Sequence, residues 1–389
     1  MGRDFRVVQL ASFTSIFDRY TIPPMLATIA RSFDASLGEV AIAASLYFLL
    51  YGLLQPVWGF VSDRVGRVRL MQLGLLVGAA GGALSALAPS LTLLIVGRAL
   101  TGAFIGAVVP ASIVYVGDSV APQARQRALA SLMSATATGT ASATVVSGAL
   151  AAWVDWRAGF ALPACAASLL VLPLQRVAEP ERHPDTVEPG AQLRILVRHP
   201  WAVLVSVLAL AEGVVAFGGI PFMPSAVEST GRTAAVAGLT VALFGVAQVG
   251  WSQWVRRAVG RLGAAALMGA GGCAFAAGYA VAVISHGIAG VAVAACLVAA
   301  GYASFHTGLQ AWATEVIPEA RAVSVAFFGA SLFVGNSIAA AAYGPLASGE
   351  RYTLLFGICA AGSLPLGLAG ATARSRWRGR EEELAVEPA

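Results

Sequence analysis

The sequence is divided into long apolar stretches, and these constrain its fold more than any other feature. Each is roughly 20 to 30 residues long, enough for a helix to cross a hydrocarbon core about 30 Å thick. Inside lipid the backbone must form its hydrogen bonds within helices or within a closed barrel. Runs such as LMQLGLLVGAAGGALSALA lack the alternation of barrel strands. With only 12% charged residues, the sequence predicts a helical membrane protein.

The apolar stretches predict twelve spans in two groups of six. The predicted spans are 6–30, 38–62, 69–89, 91–118, 124–152, 157–175, 200–228, 233–254, 263–284, 287–316, 322–348 and 352–373. The longest polar interruption contains Pro180, Pro184 and Pro189, which break helix, and charges that oppose insertion. We therefore expect an all-α fold with a six-helix half over 1–175, a linker over 176–199, a second half over 200–373 and a tail over 374–389.

The distribution of arginine predicts the orientation. All 25 basic residues are arginines. If the N-terminus is cytoplasmic, nineteen of them fall in cytoplasmic connections and tails. The other side carries Arg31, Arg157, Arg232 and Arg351, while Arg19 and Arg98 lie inside spans. The bias predicts both termini in the cytoplasm and a location in the inner membrane. The net charge of +5 then reflects topology, and no nucleic-acid partner is expected.

The two groups of spans look like copies of one unit. At a constant offset, Pro122 matches Pro318 and Arg125 matches Arg321. Gly139 and Gly335 match at the same offset. An even number of spans in each copy gives a parallel repeat about an axis along the membrane normal. This arrangement is typical of several classes of transporter.

A short charged turn between predicted spans 2 and 3 resembles a known family signature. GFVSDRVGR supplies Gly59, Asp63, Arg64, Gly66 and Arg67. It resembles the G-x-x-x-D-R-x-G-R signature of major facilitator superfamily transporters. The resemblance implies two six-helix halves around a central cavity. It also implies that the turn latches the halves in the outward-open state.

The resemblance assigns partners to this turn. Asp63 is expected to face the N-terminal end of span 11 near Val323, where the helix dipole is positive. Asp118 fits the role of an acid that binds the arginines of the turn. The alternative is a loop whose positive charge only sets topology.

Two further motifs bear on the branch of the family. Arg98 and Gly102 resemble the R-x-x-x-G element implicated in proton transfer, although a structural arginine remains an alternative. The chain is closest in pattern to the twelve-helix drug:proton antiporters. Their span 5 motif is degenerate here, because Ala143 and Thr144 replace its Gly-Pro pair.

Polar groups in mid-membrane are the candidates for a substrate or proton pathway, because charge is costly there. They are Asp18, Arg19, Arg98, Glu212, His306 and Gln310. Asp18 and Arg19 are adjacent and point about 100° apart on a helix, so each needs another partner. We expect Arg19 to meet Glu212 across the cavity, with a static ion pair as the alternative. His306 has the imidazole that suits a proton relay, and Gln310 lies one turn further on.

These features predict a secondary transporter that moves a small organic solute by alternating access, and not an enzyme. Proton-coupled efflux is the first hypothesis, with Asp18 and Glu212 as proton carriers tuned by Arg98 and His306. The alternatives are a carrier of a small organic anion that uses Arg19, or a membrane receptor or scaffold on the same fold. No cofactor and no metal site are expected. The expected partners are a small-molecule substrate, protons and membrane lipid, and the chain is expected to be a monomer.

Overall fold

The computed structural model describes residues 2–180, 189–317 and 321–377, and over these ranges the chain is built from helices. The first part of the chain contains α1 (Arg3–Arg19), α2 (Leu26–Ser32), α3 (Leu37–Leu53), α4 (Gln55–Val65), α5 (Arg67–Ala86), α6 (Leu91–Ile105), α7 (Val108–Ser119), α8 (Pro122–Trp153) and α9 (Trp156–Leu174). The predicted spans 1, 2 and 4 are therefore each divided into two helices. The α3–α4 pair is bent by 49°.

The second part begins with a helix in the linker. Its elements are α10 (Pro189–Arg198), α11 (Pro200–Glu212), α12 (Met223–Glu228), α13 (Ala234–Ile284), α14 (Ile288–Gly301), α15 (Thr307–Glu315), α16 (Arg321–Ser348) and α17 (Tyr352–Arg376). Pro189 was expected only to break helix, but it begins α10, because a proline at the first helical position loses no hydrogen bond. Pro184 lies outside the described residues.

Eight of the described helical stretches are long and apolar enough to cross a membrane, and the bent α3–α4 pair makes a ninth if it is counted as one span. Part of the difference from twelve is that the predicted spans 6–30 and 124–152 are not among these stretches, and another part arises in α13. This helix runs for 51 residues and covers two predicted spans, 233–254 and 263–284. Gly263 has a φ of 75° inside it, a left-handed conformation that interrupts the regular helix between the two.

The two predicted halves contact each other along two pairs of helices. In one pair α3 packs against α16, and in the other α8 packs against α13. The Ser45 hydroxyl lies 2.9 Å from both the hydroxyl and the carbonyl oxygen of Ser337, which joins α3 to α16. A Cβ added to Gly238 of α13 would collide with the carbonyl oxygen of Thr144 in α8. Such close approach between helices needs small residues.

The molecule is closed at the end opposite the linker. There the Arg31 guanidinium lies 3.6 Å from the Glu228 carboxylate, and the Gly38 N–H donates to the Ser348 hydroxyl at 2.6 Å. These two contacts join the predicted halves at that end of the molecule.

Candidate functional site: two buried polar pairs and a charged turn

Asp18 and Arg98 form a buried, two-pronged ion pair. Arg98 Nη1 donates to Asp18 Oδ1 at 3.0 Å, and Arg98 Nη2 donates to Asp18 Oδ2 at 2.8 Å. The Asp18 side chain is 4% exposed and the Arg98 side chain is 1% exposed. The guanidinium also lies over the rings of Tyr47 and Phe160, at 4.6 and 4.8 Å from their centroids. Both carboxylate oxygens accept from the same guanidinium, so the contact is bidentate, the strong form of a pair between arginine and a carboxylate.

Local structure explains how Asp18 reaches Arg98. α1 ends at Arg19, and a break over residues 20–25 includes a 3-10 turn, Pro23–Met25. The two prolines cannot donate the hydrogen bonds that would continue α1. Asp18 therefore sits in the last turn of a helix that ends inside the molecule, next to the middle of α6.

Arg19 points away from Asp18 and lies among aromatic rings. Its Nη2 donates to the Tyr51 hydroxyl at 2.8 Å. The guanidinium carbon lies 4.6 Å from the Tyr51 ring centroid and 5.2 Å from that of Phe333. Tyr51 belongs to α3 and Phe333 to α16, so Arg19 lies where the two predicted halves meet. Its Nε is buried without a hydrogen-bond partner in the described part of the chain.

Glu212 and His306 form the second buried pair. His306 Nδ1 lies 3.2 Å from Glu212 Oε2, and Glu212 is fully buried. The second carboxylate oxygen, Oε1, is buried and has no hydrogen-bond partner among the described residues. The His306 ring stacks on Tyr302, with centroids 4.6 Å apart, and contacts Phe217 edge-on. In the described part of the chain, His306 is therefore the one hydrogen-bond partner of this carboxyl, and aromatic rings lie around the histidine.

Two π-helical segments position this pair. Gly213–Phe217 directly follows Glu212, and Tyr302–His306 ends at the histidine. π-bulges are rare and occur frequently at functional sites. One adjoins each member of this pair.

The structure contradicts the predicted contact between Arg19 and Glu212. Arg19 binds Tyr51, and Glu212 binds His306. Gln310 was grouped with His306 by its spacing, but its side chain is exposed whereas His306 is 5% exposed.

The charged turn between α4 and α5 is organised around Arg67. This side chain lies 2.7 Å from Asp63 Oδ1 and 3.1 Å from Asp118 Oδ2, and it donates to the Ser62 carbonyl at 2.8 Å. Asp118 therefore lies where the resemblance implied. Arg64 is exposed and its guanidinium covers the ring of Phe60 at 3.8 Å.

The other expectations for this turn have mixed outcomes. Gly66 has a φ of 115°, which accounts for a glycine at this position. Gly59 is exposed on α4. α4 packs against α16, and the expected approach of Asp63 to the start of α16 near Val323 stays a prediction.

Glu179 is a member of this cluster that the sequence analysis missed. Its carboxylate accepts from the backbone N–H groups of Arg67, Val68 and Arg69 at the start of α5. The negative charge is favourable there, because the first turn of a helix has unpaired N–H groups and a positive dipole end. Glu179 was treated only as one of the charges that keep the linker out of the membrane.

A cleft of about 570 Å³ lies beside this turn. Asp118, Arg125 and Glu179 are among the residues that line it. It lies at the linker end and its lining includes no member of the two buried pairs, so we do not assign the solute to it. Among the described residues no group of three metal-ligating side chains occurs.

Together the apolar helices and the contacts between the two predicted helical halves indicate a multi-pass membrane protein. The Major Facilitator Superfamily model matches residues 8–227, which is more than half of the chain. The chain belongs to this superfamily of transporters.

Known relatives and structures agree with this assignment. The chain is 36% identical over 112 residues to the inner membrane transport protein YajR of Escherichia coli, over 28% of this chain and 24% of that protein. It is 29% identical over 126 residues to the quinolone resistance protein NorB of Staphylococcus aureus, over 32% of this chain and 27% of that protein. Each match therefore spans less than a third of the relative's length.

A solved structure extends the likeness of the fold to nearly the whole chain. The nucleoside transporter NupG, in a mutant form, superposes with a TM-score of 0.80, covering 95% of this chain and 100% of that chain. The sequence identity is 13%, so this likeness concerns the fold alone.

Proposed function

We propose that the protein is a proton-coupled secondary transporter that exports a small organic solute by alternating access. In this proposal twelve spans form two halves, 1–175 and 200–373, joined by the linker 176–199, and both termini are cytoplasmic. The fold-level likeness to a transporter over 95% of the chain supports the two-half arrangement. The arginine bias of the sequence supports the orientation.

The Glu212–His306 pair is the observation that carries proton coupling. A carboxyl and an imidazole 3.2 Å apart can hold one proton between them, as carboxylate and imidazolium or as carboxylic acid and imidazole, and releasing it leaves a carboxylate beside a neutral imidazole. Glu212 Oε1 lacks a hydrogen-bond partner in the described residues, so only one of the two carboxylate oxygens is stabilised by a hydrogen bond. A change of access or of solute near Tyr302 would alter the solvation of the pair and thereby its proton occupancy.

Asp18 is a weaker candidate for a proton carrier than the sequence indicated. Its two oxygens both accept from Arg98, an arginine that remains protonated at all accessible pH values. We assign this pair to fixing the end of α1 against α6. A role in coupling would require the pair to separate during the cycle.

The charged turn and the opposite end of the molecule supply the two gates. The Arg31–Glu228 and Gly38–Ser348 contacts close the end opposite the linker. When the molecule closes at the linker end, we propose that Asp63 binds the start of α16. Asp63→Asn should then shift the distances between spin labels at the linker ends of the two halves toward the open state. Unchanged distance distributions would remove Asp63 from the gate.

The direction of transport is supported by resemblance alone. One relative is named for quinolone resistance, and the chain resembles drug:proton antiporters except in the span 5 motif. We therefore propose export.

The test of proton coupling uses purified protein in proteoliposomes. A solute is first selected by thermal-shift screening at two pH values, and its uptake is then driven either by a pH gradient or by counterflow of the same solute. We expect Glu212→Gln to abolish accumulation driven by the pH gradient and to retain counterflow, because the binding and movement of the halves remain. Arg232→Gln, a surface change between α12 and α13, is the matched control. Accumulation that persists in Glu212→Gln with its pH dependence unchanged would refute the proposal.

A further inference from the structure

Arg19 is a mid-membrane cation that has no carboxylate partner in the described residues. The acids nearest to it in the chain or by prediction are Asp18 and Glu212, and each has its own partner. The titratable neighbours of Arg19 are tyrosines: Tyr51, Tyr20, Tyr47 and Tyr302. Only one of its five N–H donors is assigned to a side chain, the Tyr51 hydroxyl.

The guanidinium is not required to cap α1. The carbonyl oxygens of Ile16 and Phe17 accept from the Tyr20 N–H. The Asp18 carbonyl accepts from the N–H and the hydroxyl of Thr21. The end of the helix is therefore satisfied without Arg19, and the donors of Arg19 remain available to another group.

Aromatic rings compensate this charge only in part. Cation–π contacts such as those with Tyr51 and Phe333 recover less free energy than removing a guanidinium from water costs. A carboxylate that bound two N–H groups of Arg19 would supply the missing compensation. The rings around the guanidinium would then contact the apolar body of the same molecule.

We propose that Arg19, with Tyr51 and Phe333, is the substrate subsite, and that the substrate is an organic carboxylate with an apolar or aromatic body. This inference rests on the proposed transport function and adds the class of its substrate. Because Tyr51 and Phe333 belong to different halves, a bound anion contacts both of them. Tyr302, a neighbour of Arg19, stacks on His306, so the anion would bind next to the proposed proton site.

The test is a binding measurement at constant pH with no membrane gradient, so that its outcome is independent of proton coupling. Benzoate is titrated into the protein in detergent micelles by calorimetry, beside benzyl alcohol and benzylamine, which share the ring but not the negative charge. We expect benzoate to bind at least about tenfold more tightly than either, as expected for loss of one hydrogen-bonded charge pair.

The variants assign that difference to Arg19. Arg19→Gln should weaken benzoate binding by at least about tenfold, and Arg19→Lys should weaken it less, because an ammonium keeps the charge but not the planar pair of donors. Arg232→Gln removes an exposed arginine and should bind as the parent does. The proposal is overturned if the parent does not bind benzoate, if benzylamine binds more tightly, or if Arg19→Lys and any folded Arg19→Gln bind benzoate as the parent does. Failure of this binding test would leave the Glu212 transport result unaffected. Failure of the Glu212 transport test would likewise leave the binding result unaffected.

Discussion

Loss of one partner of the Asp18–Arg98 pair should destabilise the protein far more than loss of both. At the N–O separation of 2.8 Å, and with an effective dielectric constant of about 20, the attraction between the charges is about 6 kcal/mol. Desolvation offsets much of this, so the net cost of leaving one buried charge unpaired is roughly 3–5 kcal/mol. We expect that loss for Asp18→Asn and for Arg98→Gln, and a recovery of much of it in the double variant.

The assay is unfolding of the purified protein in mixed micelles with an increasing fraction of denaturing detergent, analysed as a double-mutant cycle. Arg232→Gln is the control, because this arginine is exposed between α12 and α13. Substitutions at such surface positions usually change stability by no more than about 0.5 kcal/mol, so that variant should lie close to the parent. If the double variant loses the sum of the two single losses, the pair does not contribute as a unit and the reasoning is wrong.

Two further predictions concern the ends of the molecule. Gly66→Ala should lower the thermal unfolding temperature, because a Cβ at a φ of 115° is strained by roughly 1–3 kcal/mol and would collide with the Glu179 carboxylate. Gly59→Ala, at a helical position where a Cβ meets no atom within 4 Å, should not lower that temperature, and equal effects of the two variants would contradict the role of the turn. Arg31→Gln should lengthen the distances between spin labels at the end opposite the linker, because it removes the contact with Glu228 across the two halves. The pair is partly exposed, so a shift in population of no more than about fivefold is expected, and unchanged distances would show that the contact does not hold that end closed.

The sequence predicted the helical membrane fold because long apolar runs permit few alternatives in lipid. It also identified most of the groups that form the site, since charge in mid-membrane is rare enough to mark function. The pairing of those groups was only partly predictable. Helical phase showed that Asp18 and Arg19 diverge, but not that Asp18 would reach Arg98.

The errors have physical causes that lie outside a regular helical pattern. Arg19 was expected to meet Glu212 because their spans, 6–30 and 200–228, are equivalent in the repeat. That equivalence predicts that the two residues lie at the same depth in the membrane, but not which way their side chains point. The π-helical segments after Glu212 and before His306 have no signal in the apolar periodicity. Glu179 was missed because its role depends on a long-range contact with the start of α5.

The central claim is that Glu212 and His306 take up and release a proton, and infrared difference spectroscopy tests it without a known substrate. The spectrum of the protein in lipid is recorded as the pH is changed over the range in which imidazole titrates, about pH 5 to 8. The account predicts a protonated-carboxyl band that changes with pH in the parent and in Arg232→Gln and is absent in Glu212→Gln. A parent that shows no such band, or a band that persists unchanged in Glu212→Gln, would contradict the account.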